Sequence, residues 1–104
     1  MPKGKETGKH RPILVLLDGL GRRWSLRIIW ELQTDPIKFR ALRKACDGVS
    51  PSVLNKRLGE LRHLGFIKKT RDGYALTPDG ESLAERLRKL DRWAQRRGKW
   101  REDD

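Results

Sequence analysis

Val49 to Gly65, VSPSVLNKRLGELRHLG, is the stretch whose reading decides the fold. Ser50 is a good N-cap, Pro51 suits the first helical position, and Gly65 can close the helix end. Between them Leu54, Leu58, Leu61 and Leu64 recur every three or four residues and mark one buried stripe. The opposite face carries Ser52, Asn55, Lys56, Gly59 and His63, with Arg57 and Arg62 at its flanks. It is small and polar at its first turn and basic further along. A helix entering a DNA major groove needs this arrangement, with short hydrogen-bonding side chains near base edges and cations for phosphates. An ordinary amphipathic helix with a solvated face has the same pattern, so the neighbouring stretches must decide.

Immediately downstream come Phe66-Ile67-Lys68-Lys69-Thr70-Arg71, then Asp72-Gly73, then Tyr74-Ala75-Leu76-Thr77. Asp-Gly between two short β-prone runs is a hairpin signal. Lysines are common on exposed sheet edges, where charge blocks aggregation. A basic hairpin directly after such a helix also has the makings of a wing that grips the DNA backbone, and the order of the elements favours the wing. Immediately upstream, a short helix is expected from about Phe39 to Ala45, with Phe39, Leu42 and Cys46 inward and Lys38, Arg40, Arg43 and Lys44 outward. Asp47-Gly48 then makes a tight turn. Short helix, glycine turn and capped amphipathic helix make a helix-turn-helix.

Further out, Arg11-Pro12 introduces Ile13-Leu14-Val15-Leu16-Leu17, apolar on every side when wound as a helix. Such a helix must be covered all round. One side can meet the protein's own core and the other needs a partner, which is the first sign of a dimer. Asp18-Gly19-Leu20-Gly21 breaks or ends that helix. A second is expected from about Arg23 to Gln33, with Leu26, Ile29, Trp30 and Leu32 inside, before the turn signal Thr34-Asp35-Pro36. Thr77-Pro78 starts a last helix in which Leu83, Leu87, Leu90 and Ala94 form a narrow seam beside Trp93. That seam can pack on the N-terminal helix of the same chain or on its mate in a second subunit, and both at once is the preferred expectation. The candidate dimer interface is therefore Ile13, Leu14, Leu16, Leu17, Leu83, Leu87, Leu90, Trp93 and Ala94. Residues 1–10 read as a flexible basic arm, 11–97 as one winged helix-turn-helix domain, and 98–104 as a charged tail containing Trp100. The fold class is mainly α with a small β-hairpin wing.

The 104 residues suit one domain. Lys and Arg number 25 against 14 Asp and Glu, a formal charge of +11 that favours polyanionic partners. No apolar run approaches the ~20 residues that span a bilayer, so no membrane association is expected. One cysteine cannot form an internal disulfide, which fits a reducing cytoplasm and, for a DNA binder, association with a prokaryotic nucleoid. His10, Cys46 and His63 have no metal-ligand spacing, so neither a metal nor another cofactor is expected. No paired carboxylates, nucleophile–base pattern or glycine-rich phosphate loop points to an enzyme. Cys46 lies at a helix end beside Asp47, and both features oppose thiolate formation. Trp24 and Trp30 read most simply as core aromatics; lining a small-molecule effector pocket is the other reading, which nothing else indicates.

The chain resembles the HxlR-type winged-helix regulators, relatives of the MarR group. Leu20-Gly21-Arg22-Arg23-Trp24-Ser25-Leu26 is similar to the family's opening GGKWT-L stretch, and Lys38-Phe39-Arg40-Ala41-Leu42-Arg43 to its RFSEL helix. Val49-Ser50-Pro51-Ser52-Val53-Leu54 and Arg57-Leu58-Gly59-Glu60-Leu61 resemble its recognition helix. Leu64-Gly65-Phe66-Ile67 and Tyr74-Ala75-Leu76-Thr77-Pro78-Asp79-Gly80 resemble the segments at either end of its hairpin. The resemblance implies a homodimeric DNA-binding transcription factor with N- and C-terminal helices at the dimer interface. The wing is shorter than is usual there, and the N-terminal reactive cysteine of redox-sensing members is missing.

For contact with double-stranded DNA, Ser52, Asn55 and Lys56 rank first as candidates for base edges. Asn pairs bidentately with adenine and Lys with guanine. Ser50, Arg57 and Arg62 read as phosphate anchors, as do Lys38, Arg40 and Arg43 on the preceding helix, and Lys68, Lys69 and Arg71 belong to the wing. The expected function is a homodimer on an inverted-repeat operator. Two other classes remain: a sequence-tolerant architectural or RNA-associated binder, and a winged-helix protein-interaction module.

Overall fold

The computed structural model describes residues 11–98. The expected arm at 1–10 and nearly all of the tail, Trp100 included, lie outside the described residues. The order of elements is α1 (Pro12–Leu20), α2 (Ser25–Glu31), α3 (Phe39–Ala45), α4 (Pro51–His63), β1 (Ile67–Thr70), β2 (Gly73–Leu76) and α5 (Pro78–Arg97). The mainly helical fold with a two-stranded antiparallel hairpin is the winged helix-turn-helix expected from the sequence.

α4 forms as its sequence dictates. Ser50 is extended, and its hydroxyl accepts from the Val53 amide at 3.2 Å, with Pro51 opening the helix. Leu54, Leu58 and Leu61 are buried, and with Leu42 of α3 and Cys46 at its C-cap, Ile28 and Ile29 of α2, Ile67 and Leu76 of the hairpin, and Ala84 of α5 they build the core. Leu64 departs from the expected stripe. It is 40% exposed and its side-chain end lies over Gly19 of α1.

α1 ends within the expected stretch, at Leu20, with Gly21 as its C-cap. Other departures have local causes. α2 starts at Ser25, two residues later than expected, because Trp24 sits in the left-handed region (φ 82°). Its buried stripe is Ser25, Ile28, Ile29 and the following Leu32, while Leu26 is exposed and Trp30 half-buried. The spacing is helical, but a polar first member disguised it.

The hairpin register pairs Ile67 with Leu76 and Thr70 with Gly73, leaving Arg71-Asp72 as the loop. Thr70 closes that loop, its hydroxyl donating to the Gly73 carbonyl at 2.8 Å and accepting from the Asp72 amide at 3.1 Å. Gly73 therefore belongs to the strand rather than the tip. Ile37 bridges Tyr74 through two backbone hydrogen bonds of 2.9 and 2.8 Å, and its backbone passes where a Gly73 side chain would stand. This bridge ties the segment entering α3 to the wing.

α5 is capped by Thr77, whose hydroxyl accepts from the Gly80 amide and donates to the Gly65 carbonyl. Its main neighbours within the chain are α2 and β2, not the N-terminal helix. Leu83, Ala84 and Leu87 face this core, whereas Leu90 and Trp93 are half exposed.

Candidate nucleic-acid interface

Ser52, Asn55, Lys56, Gly59 and His63 are all exposed along α4. Because α4 packs through its leucines, this polar face is left outward. Beside its first turn stands the wing. Phe39, Pro51, Ser52, Asn55, Lys69 and Tyr74 line one shallow depression, and Gly59, Arg62, His63, Lys68 and Lys69 border another further along the helix. A third joins Lys38 to Lys69, Arg71 and Tyr74. The structure thus brings Lys38, Ser52, Asn55, Arg62, Lys68, Lys69 and Arg71 onto one continuous surface. Ser50 sits at its edge as the α4 cap. Lys69 and Tyr74 are cross-strand partners, and the ammonium stands 5.8 Å from the ring centroid.

Arg40 is exposed but borders a separate depression with Ala41, Lys44 and Gly48. Arg43 also borders that depression, but Arg43 and Arg57 are both partly buried and tied to the protein's own backbone. Nε of Arg43 donates to the Val49 carbonyl at 2.6 Å, across the turn of the helix-turn-helix. Nε of Arg57 donates to the Arg23 carbonyl at 3.1 Å and its neighbouring nitrogen pairs with Glu60 at 3.1 Å, leaving the Arg57 side chain 15% exposed. Nothing in the residue pattern separates these two arginines from the exposed ones, because each bonds a backbone carbonyl brought near only by folding. Asn55 and Lys56 also front an open groove of about 600 Å³ between α4 and the end of α1, with Asp18, Gly19 and Arg22 on its far side.

Arg27, unassigned from the sequence, holds the scaffold behind this surface. It pairs with Glu31 at 2.8 Å and donates to the Ala45 carbonyl at 2.7 Å, fastening α2 to the end of α3. Cys46 is fully buried in that region, and burial pushes its thiol up, opposed by the charge of Arg27. Among the described residues, no group of three or more His, Cys, Asp and Glu side chains could hold a metal ion. None of the helices described is long and apolar enough to cross a membrane.

On the side formed by α1, Ile13, Leu14, Val15 and Leu17 are 41–56% exposed, while Leu16 leans on the core. Of the expected seam on α5, Leu90 and Trp93 are exposed, Ala94 is half-buried, and Leu83 and Leu87 pack on the chain's own core.

A capped helix with a polar outer face beside a basic two-stranded wing matches what comparison with known proteins finds. The model of the HxlR-like helix-turn-helix family matches residues 19–102. The chain belongs to that family. Among curated relatives, this HxlR-like chain is 32% identical to the Bacillus subtilis HTH-type transcriptional regulator YvaP, over 75% of its own length and 79% of YvaP. It is 27% identical to the Escherichia coli HTH-type transcriptional regulator YtfH, over 89% and 79%. Among solved structures, quinone-bound YodB from B. subtilis aligns with a TM-score of 0.74 at 26% identity, covering 82% of this chain and 97% of YodB. A MarR-family regulator from Enterococcus faecalis aligns at 0.73 and 29% identity, covering 84% and 86%. This HxlR-like chain is thus a winged helix-turn-helix transcriptional regulator.

Proposed function

We propose that the protein binds an inverted-repeat operator in double-stranded DNA as a homodimer and regulates transcription from it. The observation that carries this reading is the single surface shared by the outer face of α4 and the basic wing. Ser52, Asn55 and Lys56 present donors and acceptors to base edges in the major groove. Lys38, Ser50, Arg62, Lys68, Lys69 and Arg71 meet phosphates on either side, and Arg40 reaches the backbone from α3. The exposed apolar residues of α1, with Leu90 of α5, form the patch that a second copy covers; an exposed strip of this kind marks an interaction surface, and a two-fold axis is the commonest way to close it. Two recognition helices related by that axis meet half-sites about 34 Å apart.

The test is selection of bound fragments from random DNA at about 150 mM salt, where purely electrostatic binding is suppressed. An inverted repeat is expected. Fragments without a common motif point to a sequence-tolerant binder that works through its charge of +11. No binding at all points to a protein-interaction module.

A further inference from the structure

We infer that Arg57 is a positioning residue that sets the spacing between the two half-sites the protein accepts, rather than a phosphate anchor. The inference rests on the homodimer reading above. Arg57 lies on α4, one residue from Lys56, yet its side chain turns away from the DNA-facing surface. It reaches the carbonyl of Arg23, 34 positions earlier, in the connector between α1 and α2. Glu60, one turn along α4, holds the guanidinium from the other side through contacts of 3.1 and 3.3 Å. The connector is itself fixed in an uncommon conformation. Trp24 takes a left-handed backbone, and the Arg23 guanidinium lies 5.1 Å from the Trp24 ring centroid.

α1 carries the exposed apolar strip, and α4 carries the outward polar face. One mostly buried side chain therefore ties the connector that leaves the helix facing a second copy to the helix that faces DNA. In a two-fold assembly the angle between these helices determines the separation of the two recognition helices. An arginine suits this position because its planar fork can bind a carbonyl and a carboxylate at once; lysine, a point charge on a flexible stem, cannot hold both in one geometry.

The experiment uses the full-length protein and a series of duplexes in which the selected half-sites are separated by spacers one or two base pairs shorter or longer than the optimum. Affinity is measured across a salt range for wild type, Arg57→Met, Arg57→Lys and Glu60→Gln. On the optimal duplex Arg57→Met is expected to bind about tenfold more weakly, the scale of one charge-assisted hydrogen bond. Its preference among spacers should flatten to within about threefold, while its salt slope stays at the wild-type value. Arg57→Lys should behave like Arg57→Met despite keeping its charge. If Arg57→Met does not fold, Glu60→Gln carries the test, because it leaves the arginine in place without its orienting carboxylate, and the spacer profile should broaden in the same sense.

The opposite result is a salt slope reduced by roughly 0.9 for each Arg57 removed, an unchanged spacer profile and recovery by lysine. That set would make Arg57 a phosphate anchor and overturn the inference alone. A Glu60→Gln variant with the wild-type spacer profile would also overturn it. A wild-type protein with no optimal spacer would overturn both the inference and the inverted-repeat reading.

Discussion

Nε of Arg43 donates to the carbonyl of Val49 at 2.6 Å, closing the turn between the two helices of the helix-turn-helix with one side chain. The bond spans Asp47-Gly48, where both residues have positive φ, and ends one residue before the Ser50 cap. Removing it with Arg43→Ala is expected to destabilise the domain by about 1 kcal/mol, the net worth of such a bond. For a domain of this size that lowers the melting temperature by ~4–8 °C. Arg43→Lys should melt nearly as early, since it keeps the charge but lacks the planar Nε–H. A lysine variant with wild-type melting would show that the charge matters and the staple does not.

Lys56 and Lys69 are both exposed, but they stand on different elements. Lys56 is on the outer face of α4, so Lys56→Ala is expected to relax preference at one base pair per half-site, a loss of ~1–3 kcal/mol of discrimination. Lys69 is on β1 beside Tyr74, so Lys69→Ala should weaken operator and random DNA by the same factor. It should also lower the salt slope by about 0.9 for each phosphate that the side chain no longer neutralises. Competition binding on operator and scrambled duplexes separates the two. Equal losses on both duplexes for both variants would defeat this division of labour.

Much of the architecture was legible because local chemistry and tertiary burial agree. The Ser50-Pro51 and Thr77-Pro78 caps, the leucines of α4 and the hairpin residues each specify an element that the fold keeps. Where expectation and structure part, a long-range contact decides. Leu64 leaves the buried stripe at the helix's C-cap, where it meets Gly19 of α1, and Ile37, far upstream, adds its backbone to the wing at Tyr74. The site was legible to the same degree. The outward polar residues of α4 follow from helical periodicity, but the inward turn of Arg43 and Arg57 depends on carbonyls that no pattern of residue types announces.

Gly73 and Gly48 both adopt positive φ, yet their replacement should differ in cost. At Gly48 (φ +72°) a Cβ meets nothing within 4 Å, so Gly48→Ala carries only the left-handed backbone penalty of ~1 kcal/mol. At Gly73 (φ +122°) a Cβ would stand 2.5 Å from the Ile37 carbonyl carbon. Accommodating it means breaking the bridge between Ile37 and Tyr74. Gly73→Ala is therefore expected to melt earlier than Gly48→Ala and to bind DNA less well, since the wing loses its tether. Thermal melts of the two variants side by side decide it; equal shifts would mean that the bridge contributes little.

Leu17 is 56% exposed on α1, among the residues proposed to meet a second copy. A charge there has no cost in an isolated chain but would be buried without a partner in a dimer, a penalty of several kcal/mol per ion. Leu17→Glu is expected to shift sedimentation from dimer to monomer at micromolar concentration and to abolish cooperative binding to the inverted repeat. The variant monomer should keep its helical circular dichroism. A variant that sediments as wild type would remove α1 from the interface.

Cys46 gives the fold a pH dependence whose sign can be worked out. Burial pushes its thiol up, with the positive charge of Arg27 pulling the other way. The unfolded chain has an ordinary thiol, near pH ~8.5. A raised folded value means that the unfolded state gives up this proton first as pH climbs. The stability that Cys46 contributes is thus complete below about pH 8.5 and is lost as pH rises from there through the folded value. Melting temperature should fall between pH 8 and pH 10, and the fall should be shallower in Cys46→Ala, which has no thiol to ionise. The same burial makes alkylation by iodoacetamide at pH 8 proceed only through opening of the α2–α3 region, so its rate should rise steeply with sub-denaturing urea. Rapid labelling in the absence of urea, together with parallel pH profiles for the two proteins, would show that the thiol is open to solvent and that its burial does not govern its chemistry.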